Sequence, residues 1–139
     1  MNSMKITLGF ALLTLVALPA LSADFAIQRV MGKSSAQVDA TIGRPLSVGE
    51  GGTFREYGTK SSGWYVRFSA GKATQATITF RKPFPTPEAA LKAIGIKPGK
   101  AKSTKTTFLL RSWTKLGGLT SVTVRSLDGK HWDTIEVAK

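Results

Sequence analysis

The sequence contains no cysteine, one histidine (His131), one asparagine (Asn2), and only eight acids against twenty lysines and arginines. Each scarcity removes a class of chemistry. Without cysteine there is no thiol nucleophile, no thiolate metal site and no disulfide, so stability has to come from core packing. A single histidine cannot build the multi-histidine sites that hold transition metals. Asn2 as the sole asparagine leaves no glycosylation acceptor past the leader. The acids Asp24, Asp39, Glu50, Glu56, Glu88, Asp128, Asp133 and Glu136 are scattered singly, with no pairing that would place two carboxylates across one cleft, as glycoside hydrolysis requires.

Two partial motifs also fall short. His131 and Asp133 would share a strand face and supply two members of a nucleophilic triad, yet no serine stands in a nucleophile-elbow context. The stretch GIKPGK (95–100) is one residue short of a phosphate loop, is followed by Ala101 where Ser or Thr is needed, and follows a helix pattern instead of a strand. The sequence therefore predicts no catalytic residue, no metal site and no cofactor.

The chain opens MNSMKITLGFALLTLVALPALSA: one lysine, an apolar stretch from Ile6 to Leu18, then Pro19 and small residues. This three-part layout predicts a signal peptide over 1–23 and a single exported domain over 24–139. The apolar stretch is shorter than the roughly 20 residues of a spanning helix. With no cysteine to lipidate, the mature chain is expected to be soluble and unanchored, in the periplasm or outside the cell. Past the leader the net charge is +11, and its excess is central, since residues 81–118 carry nine basic side chains and one acidic. Such a charge suits either an anionic partner or simple solubility.

Helix signals occur twice. In GKSSAQVDATIGRP (32–45), Ser34 and Gln37 have capping-box spacing, Val38 and Ile42 share one face, and Gly43 and Pro45 end the helix. In TPEAALKAIGIKPG (86–99), Thr86 caps, Pro87 takes the first helical position, Leu91 and Ile94 point inward, and Gly95 stops. Three strand patterns follow each helix: 53–57, 63–70 and 73–80 after the first, then 107–113, 119–127 and 131–137 after the second. Ala70-Gly71-Lys72 and Asp128-Gly129-Lys130 occupy equivalent turns. The expected fold is α+β: two α-β-β-β repeats (about 32–82 and 86–139) forming an antiparallel sheet with helices on one face. DFAIQRVM (24–31) is consistent with either a short helix or a strand.

Gly32, Ser34, Val38, Ile42, Gly43 and Pro45, followed by Tyr57, Val66, Phe68 and Gly71-Lys72, resemble the repeat of small exported bacterial proteins of the SmpA/OmlA outer-membrane assembly lipoprotein type and the β-lactamase-inhibitor-protein-like fold. The resemblance covers about 32–82 and, more loosely, 86–137. It implies a non-enzymatic protein that binds other envelope or secreted proteins through an open sheet face. The chain lacks both the anchoring cysteine of the lipoproteins and the disulfide cysteines of the inhibitors, so no specific target is carried over.

Side chains two apart on a strand face the same way. On that basis Arg55 goes with Tyr57, Tyr65 with Arg67, and Arg111 with Trp113 and Lys115. These sets, with Arg125 and Trp132, are expected to share the solvent face as a partner-binding surface, while Trp64, Val66, Phe68, Ala76, Ile78, Phe80, Phe108, Leu110, Val122 and Val124 lie under the helices. Arginine and the aromatics concentrate binding energy at interfaces. The alternative function lies in KPGKAKSTK (97–105), where Lys97, Lys100, Lys102 and Lys105 could hold an anionic membrane surface, lipopolysaccharide, a wall polymer or nucleic acid. Such a run also suits a plain solvated connection.

Overall fold

The two helix starts form as their spacing predicts. At the first, Gln37 N donates to Ser34 Oγ (3.3 Å) and Ser34 N donates to Gln37 Oε1 (3.0 Å), opening α1 (Ser35–Ile42). At the second, Ala89 N donates to Thr86 Oγ1 (3.1 Å), opening α2 (Pro87–Ala93). Each bond satisfies a backbone N–H that the helix itself leaves without a partner. The computed structural model describes residues 26–139, so the expected signal peptide lies outside the described residues. The open segment before α1 resolves as a short 3-10 helix, Ile27–Arg29.

Eight strands follow in chain order: β1 (Ser47–Val48), β2 (Phe54–Gly58), β3 (Ser62–Ser69), β4 (Lys72–Phe84), β5 (Lys105–Thr106), β6 (Leu110–Leu116), β7 (Leu119–Ser126) and β8 (Trp132–Ala138). They form one antiparallel sheet in the order β1-β2-β3-β4-β8-β7-β6-β5. Two meanders therefore meet back to back, with β4 against β8 at the centre and the two-residue strands β1 and β5 at the edges. The class is α+β, mostly sheet. The six expected strands are all present; β6 is shifted three residues later than its pattern predicts, and β4 runs four residues past its expected end, to Phe84. The β3–β4 hairpin closes tightly. Ser69 pairs with Lys72, and both residues between them have positive φ, Ala70 at 50° and Gly71 at 76°. That is the turn whose twist matches the strands it joins.

The core lies on one face only. Trp64, Val66 and Ile78 from the first meander and Val122, Val124, Ile135 and Val137 from the second are buried together with Val38 of α1, Leu91 of α2 and Ile94 just beyond it. Both helices cover this same face, because each sends a carboxylate to it. Asp39 of α1 accepts from Arg55 and Tyr57 on β2, and Glu88 of α2 accepts from Arg111 on β6. Arg55 pairs with Val66, Tyr57 with Trp64, and Arg111 with Val124, so all these groups stand on the core side of the sheet. Among the described residues no helix is long and apolar enough to cross a membrane.

Candidate functional site

Among the described residues no helix lies on the opposite face of the sheet, and the register fixes its residues. Phe54 and Glu56 on β2 lie opposite Arg67 and Tyr65 on β3; Tyr65 lies opposite Thr77 on β4, and Arg67 opposite Gln75. Across the central seam Thr77 faces Glu136 and Thr79 faces Thr134; on β7, Thr123 and Arg125 continue the rows, and on β6 Ser112 and Leu110. At the first meander the Phe54 and Tyr65 rings stack, centroids 5.1 Å apart, with exposed Arg67 beside them. The middle is a hydroxyl field: Ser112 and Thr123 share a hydrogen bond (2.9 Å), and a shallow depression of about 330 Å³ is lined by Gln75, Thr77, Ser121, Thr123 and Glu136. Arg125 Nε donates to Glu136 (3.0 Å) across β7 and β8.

Of the eight residues predicted for this face, Tyr65, Arg67 and Arg125 stand on it. The other five do not. Arg55 and Tyr57 turn to the core side, where Asp39 receives the Arg55 guanidinium at 2.5 Å and the Tyr57 hydroxyl at 2.6 Å. Tyr57 is 2 % exposed. Burial, then the hydrogen bond to Asp39 and its charge, push its phenol well above the ordinary range. Arg111 and Trp113 make the same turn on β6. Arg111 meets Glu88 at 2.5 Å, and Trp113 is 3 % exposed.

The physical reason is that an arginine or a tyrosine can enter a core side if a carboxylate waits there to take its polar end. Both helices supply one. Trp132 is buried for a different reason. Thr134 pairs with Arg125 while Trp132 pairs with the very next residue of β7, Ser126. The extra residue, Asp133, is a bulge that breaks the alternation between 132 and 134 and returns Trp132 to the core side.

The inverse correction applies to two residues assigned to the core. Phe108 is 71 % exposed, in the turn between β5 and β6, and Leu110 stands opposite Arg125 on the open face. Phe54, Gln75 and Thr77 are face residues that the sequence reading did not single out. Phe54 had the parity of Glu56 as its only signal, and that becomes legible once Arg55 is known to be held by Asp39.

Lys97, Lys100, Lys102 and Lys105 are all exposed, and among the described residues none forms an ion pair with an acid. Lys105 lies on edge strand β5, and the other three lie in the loop leading to it. His131 is joined by Asp128, not by Asp133. Its Nδ1 bonds Asp128 Oδ2, while Asp128 Oδ1 accepts from the backbone N–H groups of Lys130 and His131 (2.8 Å each). The His131 ring and then these two N–H groups hold the Asp128 carboxyl well below the usual carboxylate range. The arrangement closes the β7–β8 loop. Among the described residues no three His, Asp or Glu groups converge as a metal site.

No protein-family model, no curated protein and no solved structure matches this chain.

Proposed function

We propose that this protein is an exported, non-enzymatic protein-binding module of the periplasm or the extracellular space, an inhibitor or envelope accessory, which engages another envelope or secreted protein through the open face of its sheet. The observation that carries the reading is the uncovered face itself. Eight strands present one side with no helix over it among the described residues, and on that side Tyr65 stacks on Phe54 beside Arg67. A rigid aromatic pair with a neighbouring guanidinium loses little side-chain freedom on binding and offers both apolar area and fixed donors. The binding set is thus Phe54, Tyr65 and Arg67, with Gln75, Thr77 and Arg125 around them. Arg55, Tyr57, Arg111, Trp113 and Trp132 support the platform from behind.

The module is read as two α-β-β-β repeats. What supports this is the mirrored strand order, together with a matched pair of helix-to-strand clamps. Asp39 with Arg55 and Tyr57 in the first half answers to Glu88 with Arg111 in the second, and Trp113 is buried two residues after Arg111 as Tyr57 is after Arg55. Both arginines also keep a buried Nε with no hydrogen-bond partner, a further likeness that favours the repeat reading.

The test is capture from envelope extract by the mature chain at about 0.5 M salt, where weak charge contacts are screened. A protein retained by the wild type and released by a Tyr65→Ala/Arg67→Ala variant is the expected result. Equal retention by both would overturn the assignment.

A further inference from the structure

The second meander ends in an apolar corner that the sheet face does not use. Phe108 (71 % exposed), Leu109 (42 %) and Leu127 (91 %) are three of the five exposed large apolar side chains among the described residues. The fold brings them together from two turns. Ser126 N donates to Leu109 O at 2.9 Å, and a Cβ built on Gly129 would lie 2.5 Å from the Phe108 ring, so the β5–β6 turn rests on the β7–β8 turn.

The lysine run leads to this corner. It starts at the Gly117 end of β6, where Ile96 packs against that glycine, and passes Thr104, whose N donates to Ser112 O (2.8 Å). It finishes where Thr107 N meets Leu110 O (2.8 Å). The stretch that carries Lys97, Lys100, Lys102 and Lys105 therefore runs along the outer edge of β6, where β5 pairs with it, toward Phe108. Residues 89–127 contain no acid. The two acids that flank this stretch are already engaged, Glu88 by Arg111 and Asp128 by His131.

We propose that this edge is a second binding surface, specific for an anionic lipid bilayer, with Phe108 and Leu127 entering the headgroup boundary and the four lysines facing anionic headgroups. Apolar tips flanked by unpaired lysines are complementary to such a surface in both respects. A soluble polyanion would match the lysines and leave Phe108 and Leu127 without a partner, which is why the bilayer is the occupant chosen. Lys105, opposite Ser112, borders the open face at its far edge, but Tyr65 and Arg67 lie in the other meander and are unchanged in these variants, so the test can fail independently of the sheet-face reading.

The probes are vesicles of phosphatidylcholine with and without phosphatidylglycerol, and heparin as a soluble polyanion, at about 0.1 M salt. The wild type is expected to co-sediment with the anionic vesicles only. Phe108→Ser/Leu127→Ser should weaken that binding about tenfold and leave heparin binding unchanged, whereas changing the four lysines to serine should weaken vesicle binding by up to about a thousandfold. Leu127→Cys, labelled with an environment-sensitive dye, reads the insertion directly and leaves Phe108 in place; a blue shift on anionic vesicles is expected. No binding to anionic vesicles, or vesicle binding that survives the apolar substitutions with no dye shift, would overturn the proposal. The latter result would leave a purely electrostatic attachment through the lysines, with no insertion of Phe108 or Leu127.

Discussion

Asp39 on α1 accepts the hydroxyl of Tyr57 on β2 at 2.6 Å, on the covered face of the sheet. Together with the burial of the Tyr57 ring, this bond fixes which way β2 faces. With Tyr57 inward, Arg55 must be inward too, and Asp39 receives it as well. Phe54 and Glu56 then face out, and the aromatic pair of the open face is Phe54 with Tyr65.

Asp39→Ala should therefore cost more than its counterpart Glu88→Ala. Losing Asp39 strands a partly buried guanidinium and a buried phenol, about 2–3 kcal/mol. Glu88 is nearly half exposed, and its exposed pair with Arg111 is worth about 1 kcal/mol or less. Urea denaturation of the two variants measures the difference as a change in midpoint at constant slope.

The same clamp sets an alkaline limit. The Tyr57 phenol is raised in the folded state, so its contribution is fully present below the ordinary phenol pKa of about 10 and is lost as pH rises above it, where the unfolded chain releases the proton first. Tyr57→Phe should lower stability at neutral pH by about 1 kcal/mol. It should also flatten the loss of stability above about pH 10 relative to the wild type. Thermal unfolding from pH 7 to 11 checks both signs.

The corrected faces separate folding from binding. Trp113→Ala empties a buried site and should cost about 3–5 kcal/mol, so an Arg111→Ala/Trp113→Ala variant would lose any binding by unfolding. Tyr65→Ala/Arg67→Ala removes a half-buried and an exposed side chain and the Phe54–Tyr65 stack, and should cost only about 1–2 kcal/mol, leaving the chain folded. Circular dichroism melts of the two double variants distinguish the roles before any partner is added.

Ala70 holds φ at 50° in the β3–β4 turn, a conformation that costs an L-residue with a Cβ about 1 kcal/mol. Ala70→Asn, the residue that suits the first position of this turn, should stabilise the fold by about 0.5 kcal/mol. A lower midpoint in urea would contradict the turn assignment.

What the sequence made legible follows from how local each signal is. Ser34 with Gln37, and Thr86 with Pro87, specify helix starts through neighbours three residues apart, and both helices form there. Trp64, Val66, Ile78, Val122 and Val124 alternate cleanly and are buried. The failures lie where a face is decided by something distant. Arg55 and Tyr57 turn inward because of Asp39, sixteen and eighteen residues away, and Arg111 because of Glu88, twenty-three away. Trp132 was displaced by the bulge at Asp133, and β1 and β5 are too short to carry a pattern. In TFLLRSW both parities hold large apolar residues, so periodicity alone could not choose between Phe108 with Leu110 and Leu109 with Trp113.

The most direct test of the central assignment uses the absence of cysteine. Gln75→Cys places a unique thiol on the open face, opposite Arg67, and Lys92→Cys places one on the exposed side of α2. Each is coupled to a bulky maleimide, and capture from envelope extract is repeated at high salt. If the open face is the recognition surface, the label at Gln75 abolishes capture and the label at Lys92 leaves it intact. Capture that survives the label at Gln75 and fails with the label at Lys92 would place the binding surface on the helices instead.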